Sequence, residues 1–270
     1  MAYNLLKGKK GIIFGALDER SIAWKTAQYC IAEGAEIVLT NAPIALRMGE
    51  IDKLAKECKA PVFPADVTNM EDLDSLFTKT REHFGGGVDF ILHSIGMSPN
   101  VRKGIHYTQS NYDFMHKTMD ISAMSLHRVL QTAMKHDAIN EWGSVVALTY
   151  IAAQRVFPDY NDMADAKALL ESITRSFGYH YGVKKHVRIN TISQSPTRTT
   201  AGSGVKGFDG FINYAEKMSP LGNATSDQCA AYVVSLFSDL TRMVTMQNLF
   251  HDGGFSFTGV TPAVIEQMGE

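Results

Sequence analysis

Short runs rich in β-branched residues alternate with longer stretches of helical periodicity from one end of the chain to the other. This alternation predicts a parallel β-sheet with helices on both of its faces. Runs such as Ile12-Ile13-Phe14 are apolar at consecutive positions, as expected of strands that are buried on both faces. We therefore predict a doubly wound α/β fold with seven parallel strands, at residues 10–14, 36–40, 61–65, 88–93, 144–150, 187–192 and 247–251.

The helices between these strands are predicted at residues 21–33, 46–58, 70–84, 112–138, 158–181 and 226–238. No linker, internal repeat or low-complexity tract interrupts the pattern, so residues 1–270 are expected to form a single domain.

One connection is much longer than the usual handful of residues between a strand and a helix. Residues 194–226 contain Gly202, Gly204, Gly207 and Gly210, and a short helix is predicted at 208–217. This length favours a lid over the end of the sheet, in which Phe208, Phe211 and Ile212 would cover something apolar. The alternative is a simple surface excursion of the chain.

The composition excludes several classes of partner. The 26 basic and 28 acidic residues are interspersed and give a formal charge of -2, so neither a nucleic acid nor a membrane surface is an expected partner. The apolar runs are far shorter than the roughly 20 residues that span a bilayer, and the N-terminus lacks a signal-peptide pattern. We therefore expect a cytoplasmic protein. Cys30, Cys58 and Cys229 fit neither a disulfide framework nor a metal site and are predicted to be buried thiols, with no metal bound.

The first strand gives way to a helix at the place where a doubly wound, Rossmann-like sheet binds the pyrophosphate of a dinucleotide. The usual Gly-x-Gly-x-x-Gly motif is absent, because Gly11 and Gly15 stand four apart and no third glycine follows. A tight turn at Gly15, free backbone N–H groups and a helix capped by Ser21 can still supply what a pyrophosphate needs. The alternative is a capped helix without a ligand.

The residues after the second predicted strand bear on the choice of coenzyme. A carboxylate there would bind the ribose 2′-hydroxyl, and a basic residue would bind a 2′-phosphate. The chain has Asn41, which can hydrogen-bond a hydroxyl, and its first basic residue is Arg47, so NADH is expected rather than NADPH. Asp66 ends the third predicted strand, where it either contacts an adenine amino group or caps the next helix.

Tyr160 and Lys167 stand seven residues apart on the helix that follows the fifth predicted strand. Seven helical residues turn through about 700°, so the two side chains are predicted to lie within roughly 20° of one face. An ammonium near a phenol stabilises the phenolate and lets the phenol hydrogen-bond or protonate a developing oxyanion, which is chemistry used in hydride transfer. The alternative is an amphipathic pair on a solvated face.

The segment LTYIAAQRVFPDYNDMADAKALLE, with Tyr150, Tyr160 and Lys167 in Tyr-x9-Tyr-x6-Lys spacing, resembles a known family. It is similar to the divergent short-chain dehydrogenases that are bacterial enoyl-acyl-carrier-protein reductases. Further signatures of that family have counterparts in the same order over nearly the whole chain: Gly15-x5-Ser21-Ile22-Ala23, Asp66-Val67, His93-Ser94-Ile95-Gly96, Asp120-Ile121-Ser122, Arg188-Ile189-Asn190 and His251-Asp252-Gly253-Gly254.

The resemblance implies an enzyme that uses NADH to reduce trans-2-enoyl thioesters of acyl carrier protein, the last step of the fatty acid elongation cycle. Tyr160 would bind the thioester oxygen, Lys167 would hold the nicotinamide ribose, and Tyr150 would lie beside the enoyl group. His93 is expected to be structural. The implied substrate contacts are Ser98, Tyr150 and Tyr160, and the implied cofactor contacts are Gly15, Ser21, Ile22, Asp66, Val67, Ile95, Gly96, Lys167, Thr197, Arg198, Thr199, Thr200 and Ala201.

The residues argue against two alternatives to this function. A short-chain ketoreductase would carry Tyr-x3-Lys, and the chain has one such pair, Tyr181 and Lys185, at the end of a helix where a structural role is expected. Met163 stands four residues before Lys167 and cannot replace a tyrosine. A nucleotide sensor that has lost the chemistry is the second alternative, and the retention of both tyrosines and the lysine argues against it.

The sequence also departs from the family pattern. Ala42 stands where the family often has a long polar or basic side chain, and Gln194 and Ser195 replace small residues. In the lid, Lys206 is kept, but Asp209 and Gly210 stand where relatives can carry basic residues that face the carrier protein.

The apolar residues suggest two further features. An acyl pocket under the lid is expected to include Tyr150, Phe157, Met163, Phe208 and Phe211. Apolar residues beyond one helical stripe in 112–138 suggest subunit contacts, and a homotetramer is what the resemblance implies; these residues are Ile121, Met124, Leu126, Val129, Leu130 and Met134.

Overall fold

A computed structural model describes residues 3–199 and 208–269. Its centre is a parallel sheet whose strands follow the order β2-β1-β3-β4-β5-β6. The strands are β1 (Lys10–Phe14), β2 (Glu36–Thr40), β3 (Val88–His93), β4 (Ile139–Thr149), β5 (Arg188–Gln194) and β6 (Asn248–His251). The strand order reverses between β1 and β3, which is where a doubly wound sheet opens a crevice at the carboxyl ends of its strands.

Helices cover both faces of this sheet. They are α1 (Ile22–Ala32), α2 (Pro43–Met48), α3 (Ile51–Cys58), α4 (Met70–Phe84), α5 (Pro99–Arg102), α6 (Tyr112–Met119), α7 (Ser125–Lys135), α8 (Asn161–Lys185), α9 (Phe208–Met218), α10 (Ser226–Phe237) and α11 (Pro262–Met268). The predicted Rossmann-like α/β fold is confirmed, including the short helix in the long connection before α10.

Two apolar clusters fill the space between the sheet and the helices. Ile12 and Phe14 point to the cluster shared with α4, α7 and α8, whereas Ile13 points to the cluster shared with α1 and α10. Consecutive strand residues are therefore buried on opposite faces, which is the physical reason why these strands are apolar at every position.

The predicted strand at residues 61–65 is wrong, and the described part of the chain has six strands instead of seven. This segment makes only an isolated bridge from Val62 to Leu39 of β2. Leu39 N donates to Pro61 O, and Phe63 N donates to Leu39 O, both at 3.0 Å. Ala65 N also donates to Asn41 O at 3.1 Å, but Pro61 has no N–H group to donate to β2, and among the described residues the bridge stays isolated.

Two predicted helices are interrupted. The helix expected at 46–58 is divided into α2 and α3 at Gly49, where an added Cβ would lie 2.6 Å from Leu17 O, so the break allows the chain to pack against the first loop. The helix expected at 112–138 contains a π-helical turn at Asp120–Met124 and ends earlier, at Lys135.

Most of the apolar residues proposed for subunit contacts lie within the chain's own core. Leu126, Val129 and Leu130 are fully buried, and Met124 and Met134 pack against the same cluster. They give no support to an interface between subunits. The three cysteines are buried and unpaired, as predicted.

No helix in the described ranges is long and apolar enough to cross a membrane. Within residues 3–199 and 208–269, no group of three or more His, Cys, Asp or Glu side chains is arranged to hold a metal ion.

Candidate active site

The turn after β1 brings two strand ends into very close contact. Gly15 has φ +93°, a conformation that favours glycine, and a Cβ added to it would lie 2.0 Å from the carbonyl oxygen of Ser94. Gly15 N donates to Thr40 O across the ends of β1 and β2. The backbones after β1, β2 and β3 therefore meet at one edge of the sheet, and only a residue without a side chain fits between them.

The helix that follows this turn begins as predicted. The Ser21 hydroxyl accepts a hydrogen bond from Trp24 N at 3.2 Å, which caps α1, and Ile22 is the first helical residue. Asn41 is occupied locally, since its Nδ2 donates to Ala16 O and its Oδ1 accepts from Ala42 N. Asn41 therefore braces the turn after β1, a role that the sequence did not indicate.

Asp66 does not cap a helix, because Asn69 caps α4 instead. One oxygen of Asp66 accepts from the backbone and the hydroxyl of Thr68, at 2.9 and 2.7 Å. Its other oxygen, Oδ2, has no hydrogen-bond partner among the described residues. Val67 beside it is buried in the core, so this segment is fixed while one carboxylate oxygen stays available.

The segment that follows β3 is held from below by the π-helical turn. Ser122 Oγ accepts from Met97 N at 2.9 Å and donates to Met97 O at 3.1 Å. These two bonds fix the backbone between Gly96 and Ser98. The family-like Asp120-Ile121-Ser122 thus has a structural reason, although nothing in the sequence indicates what Ser122 contacts.

Tyr150 and Tyr160 lie side by side, with ring centroids 5.2 Å apart. Tyr150 is the residue after β4, and its buried hydroxyl has no hydrogen-bond partner among the described residues. An unpartnered buried hydroxyl costs free energy, and a ligand that accepts a hydrogen bond there would recover it.

Tyr160 does not belong to α8, contrary to the geometry assumed from the sequence. It ends a 3-10 turn at Pro158–Tyr160, and the next residue, Asn161, has φ +42° and ψ -138° at the start of the helix. The bend at Asn161 turns the Tyr160 ring towards Tyr150. The prediction that Tyr160 and Lys167 share a helical face therefore rested on a regularity that the chain does not have.

Lys167 is buried beside the same segment after β3. A Cβ added to Gly96 would lie 3.7 Å from Lys167 Nζ, so two predicted cofactor residues are neighbours. The ammonium donates to Leu148 O at 2.8 Å, near the end of β4. Burial lowers the pKa of Lys167 to about 8, and the charge of Glu171 acts in the opposite direction.

Burial, and not the charge of Lys167, shifts the pKa of Tyr160 in this structure, and the expected stabilisation of its phenolate by Lys167 stays a prediction. Burial raises the pKa of Tyr160 well above its ordinary value, and burial also raises that of Tyr150, with smaller contributions from Tyr160 and Asp252. Both phenols therefore keep their protons at neutral pH. Their hydroxyls are hydrogen-bond donors, which is the state needed to bind an oxygen that gains negative charge.

A buried polar network next to Tyr160 was not predicted. Asp162 accepts from Ser98 Oγ at 2.6 Å and from Asn100 Nδ2 at 2.8 Å. Asn161 donates to Ile105 O and accepts from Ser110 Oγ. These contacts tie the start of α8 to residues 98–111. The available signal was the pair of polar residues directly after Tyr160, at positions where a helix facing the core should be apolar.

An aromatic cluster surrounds the two phenols. Its members are Tyr150, Phe157, Tyr160, Phe211 and Phe255. Phe157 lies 5.4 Å from Tyr150, and Phe211 of α9 lies 5.2 Å from Phe157, between ring centroids. Phe211 and Phe157 thus occupy the place predicted for an acyl pocket. Phe255 was not predicted, and Met163 lies instead in the core and beside Gly96.

The loop after β5 is attached to both ends of the long connection. Thr197 Oγ1 donates to Ser195 O at 3.0 Å and lies 3.3 Å from Ala224 O. Arg198 forms an ion pair with Asp209 of α9. Thr199 N donates to Thr197 O. The predicted residues Thr200, Ala201 and Lys206 lie outside the described residues, as does the side chain of Phe208.

Two other predictions concern residues without a catalytic role. His93 is fully buried, and its Nε2 lies 2.9 Å from Ser125 Oγ; burial lowers its pKa to about 3, with a further contribution from Lys167. At the far end of α8, Tyr181 donates to Leu130 O, and Lys185 contacts Asp137 and Ile139 O. The Tyr-x3-Lys pair is structural, as predicted.

The residues at this edge of the sheet fit a dinucleotide. The tight turn at Gly15 leads to the N-terminus of α1, which is where a doubly wound sheet binds a pyrophosphate, and Lys167 lies next to Gly96. Two protonated phenols lie side by side under apolar cover, one of them two residues after Leu148, whose carbonyl oxygen accepts from Lys167. Such an arrangement defines a dinucleotide-dependent oxidoreductase of the short-chain class.

Comparisons with known proteins identify the family. The family model for Enoyl-(Acyl carrier protein) reductase matches residues 15–256. Enoyl-[acyl-carrier-protein] reductase [NADH] 2 of Rhizobium meliloti is 34% identical over 260 residues, 95% of each chain. FabI of Rickettsia prowazekii, named as an NADH enoyl-[acyl-carrier-protein] reductase, is 32% identical over 96% of this chain and 98% of its own.

A solved structure gives the same result. The FabI–NADH complex from Alistipes finegoldii superimposes with a TM-score of 0.95 at 66% identity, over 96% of this chain and 92% of that one. The chain therefore belongs to the enoyl-acyl-carrier-protein reductase family, which confirms the family predicted from the sequence.

Proposed function

We propose that Tyr150, Tyr160 and Lys167 form the catalytic centre of an NADH-dependent enoyl-acyl-carrier-protein reductase. The activity and the coenzyme predicted from the sequence are confirmed by the names of the relatives. The observation that carries the assignment of the residues is the pair of adjacent phenols after β4, together with a buried ammonium bound to Leu148 O near the end of the same strand.

The chemistry supplied by bound NADH is hydride donation to the β-carbon of a trans-2-enoyl thioester. The Tyr160 hydroxyl donates a hydrogen bond to the thioester oxygen as that oxygen gains negative charge, and the unpartnered hydroxyl of Tyr150 is a second donor beside the enoyl group. The charged Lys167 has three N–H donors, so it binds the ribose hydroxyls while it still donates to Leu148 O.

The remaining cofactor contacts follow from the same edge. The pyrophosphate is bound by Gly15, Ser21 and Ile22, and the adenine is bound by Asp66 and Val67. Ile95 and Gly96 lie at the nicotinamide ribose, and residues 197–201 close over the nicotinamide. Support comes from the close approach at Gly15, the available Asp66 oxygen and the proximity of Gly96 to Lys167.

The aromatic cluster serves as the acyl pocket, and residues 194–226 serve as its lid within a single domain of residues 1–270. Phe211 lies on α9 inside that segment and contacts both Tyr150 and Phe157. Because the rings already touch one another, α9 has to move outward for an acyl chain to enter. Ser98, whose hydroxyl is bound to Asp162, contacts the substrate through its backbone.

The decisive assay follows NADH oxidation by the purified protein at 340 nm with a trans-2-enoyl thioester, with NADPH in a parallel reaction. Turnover of the enoyl substrate with NADH is expected. Reduction of a 3-oxoacyl thioester with no turnover of the enoyl substrate would favour the ketoreductase. Binding of NADH without turnover of either substrate would favour the sensor.

The acyl carrier protein that bears the substrate is the proposed protein partner, in the cytoplasm, and the assembly is proposed to be a homotetramer. Tyr179 and Val183 support an interface, since they stand one turn apart on α8 and are 61% and 72% exposed. Light scattering after size-exclusion chromatography should give four times the chain mass of 29.7 kDa. A single-chain mass would contradict the assembly.

A further inference from the structure

A buried carboxylate lies one helical turn beyond Lys167. Glu171 Oε1 accepts from Thr149 Oγ1 at 3.0 Å and from Asn248 Nδ2 at 3.1 Å, and its Oε2 accepts from Gln154 Nε2 at 3.3 Å. These three donors come from the end of β4, the start of β6 and the turn after Ile151–Ala153. A carboxylate with three donors and no acceptor around it is matched to its ionised form.

Glu171 and Lys167 form hydrogen bonds with neighbouring residues of the same strand. Lys167 donates to the carbonyl oxygen of Leu148, and Glu171 accepts from the hydroxyl of Thr149, the next residue. Tyr150 follows directly. The two charged side chains therefore fix the end of β4 from one face of α8, and the position of Tyr150 depends on that attachment.

Within the described ranges, Glu171 and Lys167 do not form an ion pair. They interact electrostatically at longer range, through a largely buried region. Burial lowers the pKa of Lys167, and the negative charge of Glu171 raises it again. Burial also raises the pKa of Glu171, whereas its hydrogen bonds, the exposed Arg175 and Lys167 lower it.

The other titratable groups near Lys167 carry no charge at neutral pH. His93 approaches from the end of β3 and has its pKa lowered to about 3, so it is neutral. Tyr150 follows β4 two residues after Leu148, Tyr160 precedes α8, and burial keeps both phenols protonated. Among the described residues around Lys167, Glu171 is the group that supplies negative charge.

We infer that Glu171 is a positioning residue of the reaction, which keeps Lys167 in its charged form and fixes the strand end that carries Tyr150. The inference rests on the proposed contact of Lys167 with the coenzyme. It assigns a function to a side chain that makes no contact with either ligand.

The test compares the NADH dissociation constant of three proteins between pH 6 and 9.5, measured by NADH fluorescence. Glu171→Gln removes the charge and keeps the size and one acceptor oxygen. Thr149→Val is the matched control, because it removes a hydrogen bond to the same carboxylate and keeps the charge. Thermal melts of all three proteins report on folding.

In the wild type, NADH affinity should fall as pH rises through about 8, where Lys167 loses its proton. In Glu171→Gln that fall should move down by on the order of one pH unit, as expected for a lost charge interaction at a partly buried site. Such a shift means unchanged affinity at pH 6, about three-fold weaker binding at pH 7.5 and about ten-fold weaker binding at pH 9. Thr149→Val should keep the wild-type midpoint.

A Glu171→Gln profile with the wild-type midpoint, or one lowered by the same factor at every pH, would overturn the inference. If Glu171→Gln does not fold, Glu171→Asp is measured instead. Because Asp keeps the negative charge, the pH at which NADH affinity falls should stay at the wild-type value, and a displaced value would overturn the inference. A wild-type affinity that does not change with pH would instead contradict the proposed role of Lys167 itself, while the activity assay tests the function separately.

Discussion

The close approach of Gly15 to Ser94 makes Gly15→Ala the most informative single substitution. Two separate effects act on an alanine there. The backbone has φ +93°, and the new Cβ would lie 2.0 Å from Ser94 O and 2.8 Å from Ser94 C. The clash is with backbone, so no side-chain rotation relieves it, and the strand ends after β1 and β3 have to separate by about 1.4 Å to reach an ordinary contact.

A matched control separates the contributions of these two effects to the loss of stability. Gly85 has φ +67°, but nothing lies within 4 Å of its Cβ position, so Gly85→Ala isolates the backbone cost, about 1 kcal/mol. The overlap at Gly15 adds about 1–3 kcal/mol, the usual cost of forcing extra volume into a packed site. We expect Gly15→Ala to lower the free energy of unfolding by about 3 kcal/mol, which corresponds to about 6–12 °C in melting temperature.

The assay combines thermal melts with NADH titrations of the wild type and both variants. Ser94 directly precedes Ile95 and Gly96, so its displacement should also weaken NADH binding by at least about ten-fold, or 1.4 kcal/mol. Gly85→Ala should melt about 2–4 °C lower and bind NADH normally. If Gly15→Ala melts together with Gly85→Ala and binds NADH like the wild type, the reasoning from this close approach is refuted.

Three further substitutions test other parts of the structure. Tyr160→Phe should lower kcat by about 10²-fold or more while NADH affinity stays within about two-fold, since it removes one donor to the developing charge. Its control is Tyr181→Phe, the same change on α8, which should lower stability and leave kcat unchanged. Equal losses of kcat in the two variants would contradict the assignment of Tyr160. Phe211→Ala should raise KM for enoyl thioesters at constant NADH affinity, and an unchanged KM would remove α9 from the acyl pocket. Arg188→Met should lower the free energy of unfolding in urea by about 3 kcal/mol or more. The buried guanidinium binds Leu236 O, Ser238 O and Thr241, and these acceptors would lose their partner. A loss below about 1 kcal/mol would show that water replaces the guanidinium.

The sequence predicted the layered fold because burial on both faces requires consecutive apolar residues, a pattern visible without coordinates. It failed at residues 61–65, where the composition of a strand is present but the pairing with β2 amounts to an isolated bridge and one further hydrogen bond. It also failed to divide 46–58, since Gly49 is tolerated in many helices and only the approach of Leu17 explains the break.

At the site, the sequence identified the chemical groups but not their surroundings. Tyr150, Tyr160 and Lys167 were found from spacing and resemblance, yet the assumed helical geometry of Tyr160 was wrong because Asn161 bends the chain. Glu171 and Asp162 went unnoticed, since a carboxylate on a long helix normally indicates a solvated face. Burial, which decides otherwise here, depends on contacts between distant segments.

By itself, the sequence determined the order of strands and helices, the residues able to donate a hydrogen bond or a proton, and the family. Only the tertiary structure decided how those groups are charged and where they point. Local spacing sets which residues share an element, whereas the pKa of Lys167, the protonated state of the two phenols and the need for glycine at position 15 come from neighbours that are far apart along the chain.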